Sequence, residues 1–208
     1  MRLRTAVPMM LLLLLCACGA GKESAQTPVS FRTALCGAGG CSFQLALKAD
    51  YEEYTREFTL VCQSQVAGET SLTVQSPQNA EGITATVSGD SADVSYGDTV
   101  LAVENFETRR ISPMAAPFLL TKAWSEGYIS ACGQDGAWEQ VTYALGYGNQ
   151  QLTVITSFDG ETPVWAEISD GEHTLITCEI SGLTLQKKAE QDGNTEDAGQ
   201  NLGGGESG

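Results

Sequence analysis

The sequence predicts a mainly β, α+β domain: an antiparallel sheet with a covering apolar helix. Three observations lead there. Apolar and polar residues alternate in short runs across most of positions 43–180, the period of a half-buried strand. Gly- and Asp-rich turns separate the runs and leave no room for crossover helices. One stretch, 112–126, is instead apolar around most of a helical circumference.

Each element follows from local pattern. A short helix is expected over 30–35. Phe43, Leu45 and Leu47 then alternate with Gln44, Ala46 and Lys48, and Phe58, Leu60 and Cys62 alternate with Thr59, Val61 and Gln63. Leu72 and Val74 form a strand stopped by Pro77. Positions 83–87 are rich in β-branched residues, and 92–96 and 99–103 flank a Gly97-Asp98 turn. Asp135-Gly136, Asp159-Gly160 and Asp170-Gly171 are hairpin signals, because these residues tolerate φ > 0. With a turn at 146–149, they delimit strands over 138–145, 151–158, 163–168 and 172–180. The principal helix, 112–126, has Ser112 as N-cap, Pro113 at the first position and Gly127 as its stop. Pro117 is expected to delay or kink its first turn. Such a helix fits equally a core element packed on the sheet and a lid over an apolar pocket.

The two ends read differently from the middle. Arg2 and Arg4 precede an unbroken apolar run over 6–15. Ten helical residues reach about 15 Å, half a bilayer's hydrocarbon core, so the run is a signal h-region and no membrane span. Leu15-Cys16-Ala17-Cys18-Gly19 resembles the lipobox of bacterial lipoproteins. That resemblance implies removal of residues 1–17 and lipidation of Cys18, which would anchor the chain outside the cytoplasm. The membrane is the cell membrane, or the outer membrane if the host is Gram-negative, since Gly19 is not the Asp of the inner-membrane retention cue. Positions 18–27 then form a lipid-anchored flexible linker, 28–185 the domain, and 186–208 a disordered acidic, Gly-rich tail with Leu202 as its one large aliphatic residue.

Charge excludes some partners. The chain has 11 Lys and Arg against 26 Asp and Glu, a formal charge of −15. Loss of Arg2 and Arg4 makes the remainder more negative still. Nucleic acid is excluded as a partner, since phosphate binding needs clustered cations. So is direct attraction to anionic lipid, which leaves the Cys18 lipid as the means of attachment.

The motifs Leu72-Thr73-Val74-Gln75-Ser76-Pro77, Gly82-Ile83 and Val94-Ser95-Tyr96-Gly97-Asp98-Thr99-Val100-Leu101 resemble the LolA/LolB superfamily. It includes lipoprotein carriers, mycobacterial lipid-binding proteins of the LppX type and the sensor domains of some anti-sigma regulators. The resemblance implies an incomplete barrel or curved sheet whose concave face accepts acyl chains, with 112–126 as the covering helix. It makes Phe58, Leu60, Leu72, Val74, Phe118, Leu120 and Trp124 candidates to line a ligand pocket. The same residues serve equally as a filled core.

The sequence does not point to an enzyme. His173 is the sole histidine, and no Ser has an elbow motif around it. No glycine loop has nucleotide-binding spacing. Asp90, Asp93 and Asp98 do not fit an EF-hand loop and read as turn residues. No cofactor or metal is expected. Apart from Cys16 and Cys18, five cysteines remain. Cys36 and Cys41 flank a Gly-rich loop and are the first candidates for a disulfide. Cys132 and Cys178 are a second pair, with Cys62 a small buried hydrophobe. In a strict anaerobe all five stay thiols.

The expectation is a non-catalytic, lipid-anchored extracytoplasmic binding protein that takes an apolar ligand or acyl chain. The alternative is an envelope sensor or interaction domain with a filled core and a protein partner. An interior space below about 300 Å³ favours the alternative.

Overall fold

The computed structural model describes residues 26–103, 111–148, 151–171 and 173–186. The signal segment, Cys18, most of the linker and the tail from position 187 lie outside the described residues.

The first helix, α1, spans Gln26–Ala38 and is longer than the 30–35 expected; Gln26 and Thr27 open it rather than ending the linker. Pro28, Phe31 and Leu35 are its buried face, at helical spacing. Gly39, at φ 83°, ends it in the left-handed region and donates its N–H to Leu35 O at 3.0 Å. The chain then enters β1 (Gly40–Asp50) directly. Five more strands follow as a meander: β2 (Thr55–Gln65), β3 (Thr70–Ser76), β4 (Thr84–Ser88), β5 (Ser91–Tyr96) and β6 (Thr99–Val103). After the helical segment come β7 (Tyr128–Asp135), β8 (Trp138–Leu145), β9 (Leu152–Asp159), β10 (Thr162–Asp170) and β11 (His173–Leu185).

All eleven strands form one sheet in the order β6-β5-β4-β3-β2-β1-β11-β10-β9-β8-β7. Every pairing is antiparallel, and the sheet is not closed into a barrel. The two meanders are joined at the middle, where β1 pairs with β11. There Gly182, at φ 61°, sits in the bulge between the pairs Ser42↔Thr184 and Gln44↔Ser181. The hairpin turns use glycine in one specific way. Asp135 and Asp159 are the last paired residues of their strands, and only Gly136 and Gly160 take positive φ. A two-residue loop with glycine first suits the type II′ turn.

The sequence reading missed β7. Tyr128, Ser130 and Gln134 are exposed, so apolar alternation is faint there. The strand is held by its backbone ladder to β8, from Tyr128↔Ala144 to Asp135↔Trp138.

β6 and β7 are opposite edges of the sheet, and the described residues between them, 111–127, pack on the concave face. Ser112 caps this segment, accepting from the Met114 N–H at 3.3 Å. A single 3₁₀ turn, Pro113–Ala115, precedes helix α2 (Ala116–Glu126). The expected effect of Pro117 is thus a delayed start: the proline occupies the first turn of α2, where its missing N–H costs nothing. The helix stops at Gly127, whose N–H reaches Ala123 O and Lys122 O at 3.0 and 3.2 Å.

The sheet curls around α2. Val87 on β4 and Leu152 on β9 lie six strands apart, yet both line the same seam against Phe118 and Leu119 of α2. A flat sheet would separate them by about 29 Å. Inside this curve sits a continuous core from β1 (Phe43, Leu45, Leu47) to β8 and β9 (Val141, Tyr143, Val154, Phe158).

Gly127 marks where the packing is tightest at the helix end. A Cβ there would lie 2.6 Å from Ala123 O, whereas one at Gly133 of β7 would meet nothing within 4 Å. We expect Gly127→Ala to lower unfolding free energy by about 1–3 kcal/mol in urea denaturation, as overpacking does, and Gly133→Ala to leave it unchanged.

Candidate functional site

The concave face is organised by Trp124. Its indole is wholly buried, and Nε1–H donates to Thr156 Oγ1 on β9 at 3.0 Å. Phe31 of α1 and Phe43 of β1 meet the ring edge-on, each at 5.7 Å between centroids. Phe31 in turn packs on Phe158 at 5.5 Å. Such pairs add about 0.5–1.5 kcal/mol each beyond burial.

Arg32, one residue along α1, fixes the end of the same helix. Its Nε donates to Trp124 O at 2.8 Å, and Nη2 donates to Gly127 O at 2.6 Å and Ala123 O at 3.3 Å. The last carbonyls of a helix lack intrahelical partners and carry partial negative charge, so a cation suits them. The Arg32 guanidinium also lies 5.9 Å from the centroid of the Tyr143 ring. Burial pushes the Tyr143 phenol well above its ordinary value of 10.0. Sequence reasoning missed Arg32, because its partners lie more than 90 positions away.

Against this frame the pocket candidates divide. Leu60, Leu72, Val74, Leu120 and Trp124 are buried among one another and the rest of the core. Leu60 pairs with Val74, and Cys62 with Leu72, across β2 and β3. Phe118 and Phe58 are only half-buried, and the structure does not bring them to one site. Phe118 borders the seam beside α2, whereas Phe58 borders a groove with Lys48, Glu57 and Trp165.

Three spaces stand out among the described residues. The apolar one is the seam between α2 and the sheet, lined by Val87, Ile111, Ala115, Phe118, Leu119 and Leu152; it measures about 10 Å³. One water needs roughly that much. The second, about 230 Å³, is a polar cleft between the β2–β3 turn and α2, with Ser64, Gln65, Ser88, Thr121, Lys122 and Glu126 among its walls. The buried hydroxyls of Ser64 and Thr70 bond each other beneath the turn. The third, about 390 Å³, is the open groove beside Phe58, where Ala46 and Thr59 lie between Trp165, Lys48 and Glu57. Sequence reasoning singled out neither polar space, since the walls of the cleft come from β2, β4 and α2, and those of the groove from five strands.

The cysteines correct one expectation. Cys36 and Cys41 are both free: Cys36 is exposed on the last turn of α1, whereas Cys41 is buried in the core. Cys132 and Cys178 are free as well. They sit on β7 and β11, four strands apart, or about 19 Å along a flat sheet, and a disulfide needs Cα atoms within about 7 Å. Burial pushes the Cys41 thiol up to about 11, partly offset by a hydrogen bond with Thr121. It pushes Cys178 up to about 12 and Cys62 further, with Cys178 and Cys41 adding to the effect on Cys62. Thiols held protonated are poor nucleophiles and poor metal ligands. Among the described residues, no cluster of three His, Cys, Asp or Glu could hold a metal ion. His173 is exposed at the start of β11.

No protein-family model matches the chain, and no curated protein matches it. Solved structures similar in fold include a LolA superfamily protein of Nitrosomonas europaea, at 8% identity and TM-score 0.44, covering 76% of this chain and 94% of that one. Another is a DUF1329 family protein of Desulfovibrio piger, at 8% identity and TM-score 0.49, covering 81% and 93%. LprF of Mycobacterium bovis is similar at 12% identity and TM-score 0.38, covering 79% and 96%. No residue role is carried across from them.

The raised thiols give an alkaline signature. Below the ordinary thiol value of 9.0 both folded and unfolded chains keep these protons. Above it the unfolded chain loses them first, so unfolding is favoured increasingly until about 11–12. The urea midpoint should fall between pH 9 and 11, and fall less steeply in Cys41→Ala/Cys178→Ala. At pH 8, a thiol reagent should modify Cys36 at once and leave Cys41, Cys62 and Cys178 protected until denaturant is added.

Proposed function

We propose that this chain is a non-catalytic interaction domain with a filled core, held outside the cytoplasm by lipid on Cys18 and working through its outer surface. The single observation behind this is the size of the apolar seam. At about 10 Å³ it falls far short of the roughly 300 Å³ of a small-molecule site. The fittings around it are those of a fixed core. Trp124 is buried and bonded to Thr156, and α2 is clamped by Arg32. The two larger spaces are open and polar-walled, unlike acyl-chain sites.

A second reading, capture of an apolar ligand, has one observation in its favour. The seam walls carry apolar side chains, from Val87 and Leu152 on the sheet to Ile111, Ala115 and Leu119 beside them. Outward movement of α2 would widen an already apolar slot.

Native mass spectrometry of protein purified from its own host separates the two. The interaction reading expects the mass of the lipidated polypeptide alone, with no uptake of fluorescent fatty acids. A co-purifying non-covalent lipid would establish the ligand reading in its place. Replacement of Cys18 by Ala should move the protein from the membrane fraction to the soluble fraction; retention in the membrane would refute the anchor. Gln186, whose N–H donates to Gly40 O at 2.9 Å, belongs to the domain, so deletion of 187–208 should leave Tm unchanged.

A further inference from the structure

We propose that the free edge of β6 is a strand-addition site for an extended, positively charged segment of a partner protein. This deepens the interaction reading, on which it rests, by naming the surface and the partner's chemistry.

The core outruns its cover at this edge. Cys62, Leu72, Ala85, Val94 and Leu101 are successive register partners across β2 to β6, all on the concave face. Cys62, Leu72 and Ala85 are buried and Val94 is half-buried, but Leu101 is 62% exposed. Tyr96, on the same face, is also 62% exposed, and Val100 on the other face is 66% exposed. Only β5 pairs with β6 among the described residues.

The backbone is ready to pair. Tyr96 and Thr99 flank the two-residue Gly97-Asp98 loop and are register partners. In such a hairpin the flanking pair and every second pair after it bond across the ladder. Thr99, Leu101 and Val103 therefore bond to β5, and Val100 and Ala102 turn their N–H and C=O groups outward. Free edges are normally blunted by Lys, Pro or a bulge. The β6 strand, Thr-Val-Leu-Ala-Val, has none of these, and its register with β5 is unbroken. The opposite edge, β7, is irregular between Ile129 and Ala131 and carries Gly133 and Asp135.

Charge selects the occupant. Positions 57–108 contain eight Asp and Glu and no Lys or Arg. Asp90, Asp93 and Asp98 are exposed on the strands and turns next to the edge. A second copy of this chain would bring the same acids against them, and like charges in register are unfavourable. A strand with alternating apolar and basic residues would cover Leu101 and Tyr96 while its cations met the acidic margin. Main-chain bonds give affinity in strand addition, and alternate side chains give selectivity.

The test uses the full chain and two short peptides, one alternating Lys and Val and the other Glu and Val. The Lys peptide should bind, weaken steeply with added salt and slow amide exchange at Val100 and Ala102; the Glu peptide should not bind. Ala102→Pro removes an outward N–H without touching the β5 ladder, and should abolish binding. Asp93→Lys with Asp98→Lys should weaken it about tenfold, as lost charge complementarity does, and stands as the check should the proline disturb the hairpin. Equal binding of both peptides, no binding of the Lys peptide, or binding indifferent to both variants would overturn the proposal. So would a dimer in light scattering that Ala102→Pro dissociates, which would make the occupant a second copy. The two failures are separable. Lack of peptide binding with no co-purifying lipid removes this site alone, whereas a bound lipid removes the interaction reading and this site with it.

Discussion

Everything on the concave face depends on how Trp124 is held. An indole buried this deeply must find an acceptor for its N–H, and Thr156 of β9 supplies it. Phe31 from α1 and Phe43 from β1 pack on its ring in T-shaped contacts. Its own carbonyl is taken by Arg32. One residue thereby joins both helices to both halves of the sheet. An unpaired indole or an uncapped helix end in that position would each cost a buried hydrogen bond, about 1–3 kcal/mol. The helix that could have been a movable lid is instead bolted down at its C-terminal end.

The curvature and the exposed edge follow from the same crossing. The segment carrying α2 must pass from the β6 edge to the β7 edge, and the sheet wraps around it until Val87 and Leu152 share a wall. Eleven helical residues extend about 16 Å, little more than three strand spacings. Cover therefore runs out before the sheet does, and it runs out at β5 and β6, where Tyr96 and Leu101 stand in solvent. A filled centre and a bare, acidic, apolar edge are two consequences of one short helix under a wide sheet. The proposed function accordingly rests on the surface rather than on a cavity.

Much of the fold was legible because it is written in local pattern. The strand over 43–48 showed its period of two, and β1 buries Phe43, Leu45 and Leu47 as that period requires. Ser112, Pro113 and Gly127 marked the helical segment's ends, since capping depends on near neighbours. The Asp-Gly pairs marked turns, although the aspartates close the strands and only the glycines need positive φ. What was illegible is what depends on distant partners. The pairing of β1 with β11 has no local signature, nor does the reach of Arg32 to Gly127. β7 was missed because an edge strand paired on one side can be held by backbone bonds without an apolar face. The candidate site was legible only as a set of apolar residues. Leu60, Leu72, Val74, Leu120 and Trp124 look the same in a sequence whether they line a pocket or fill it, and volume alone decides. The edge of β6 does have a sequence signal, an uncharged strand in a long stretch without a cation.

The central claim is that α2 is a fixed part of the core rather than a lid. Native-state hydrogen exchange of the Leu120, Ala123 and Trp124 amides tests it most directly. If the claim holds, these amides exchange only through global unfolding, with the same opening free energy and denaturant dependence as the Leu45 and Val141 amides of the sheet. Exchange of the helix through a smaller opening that leaves the sheet protected would contradict it, and would return the apolar seam to the role of a gated pocket.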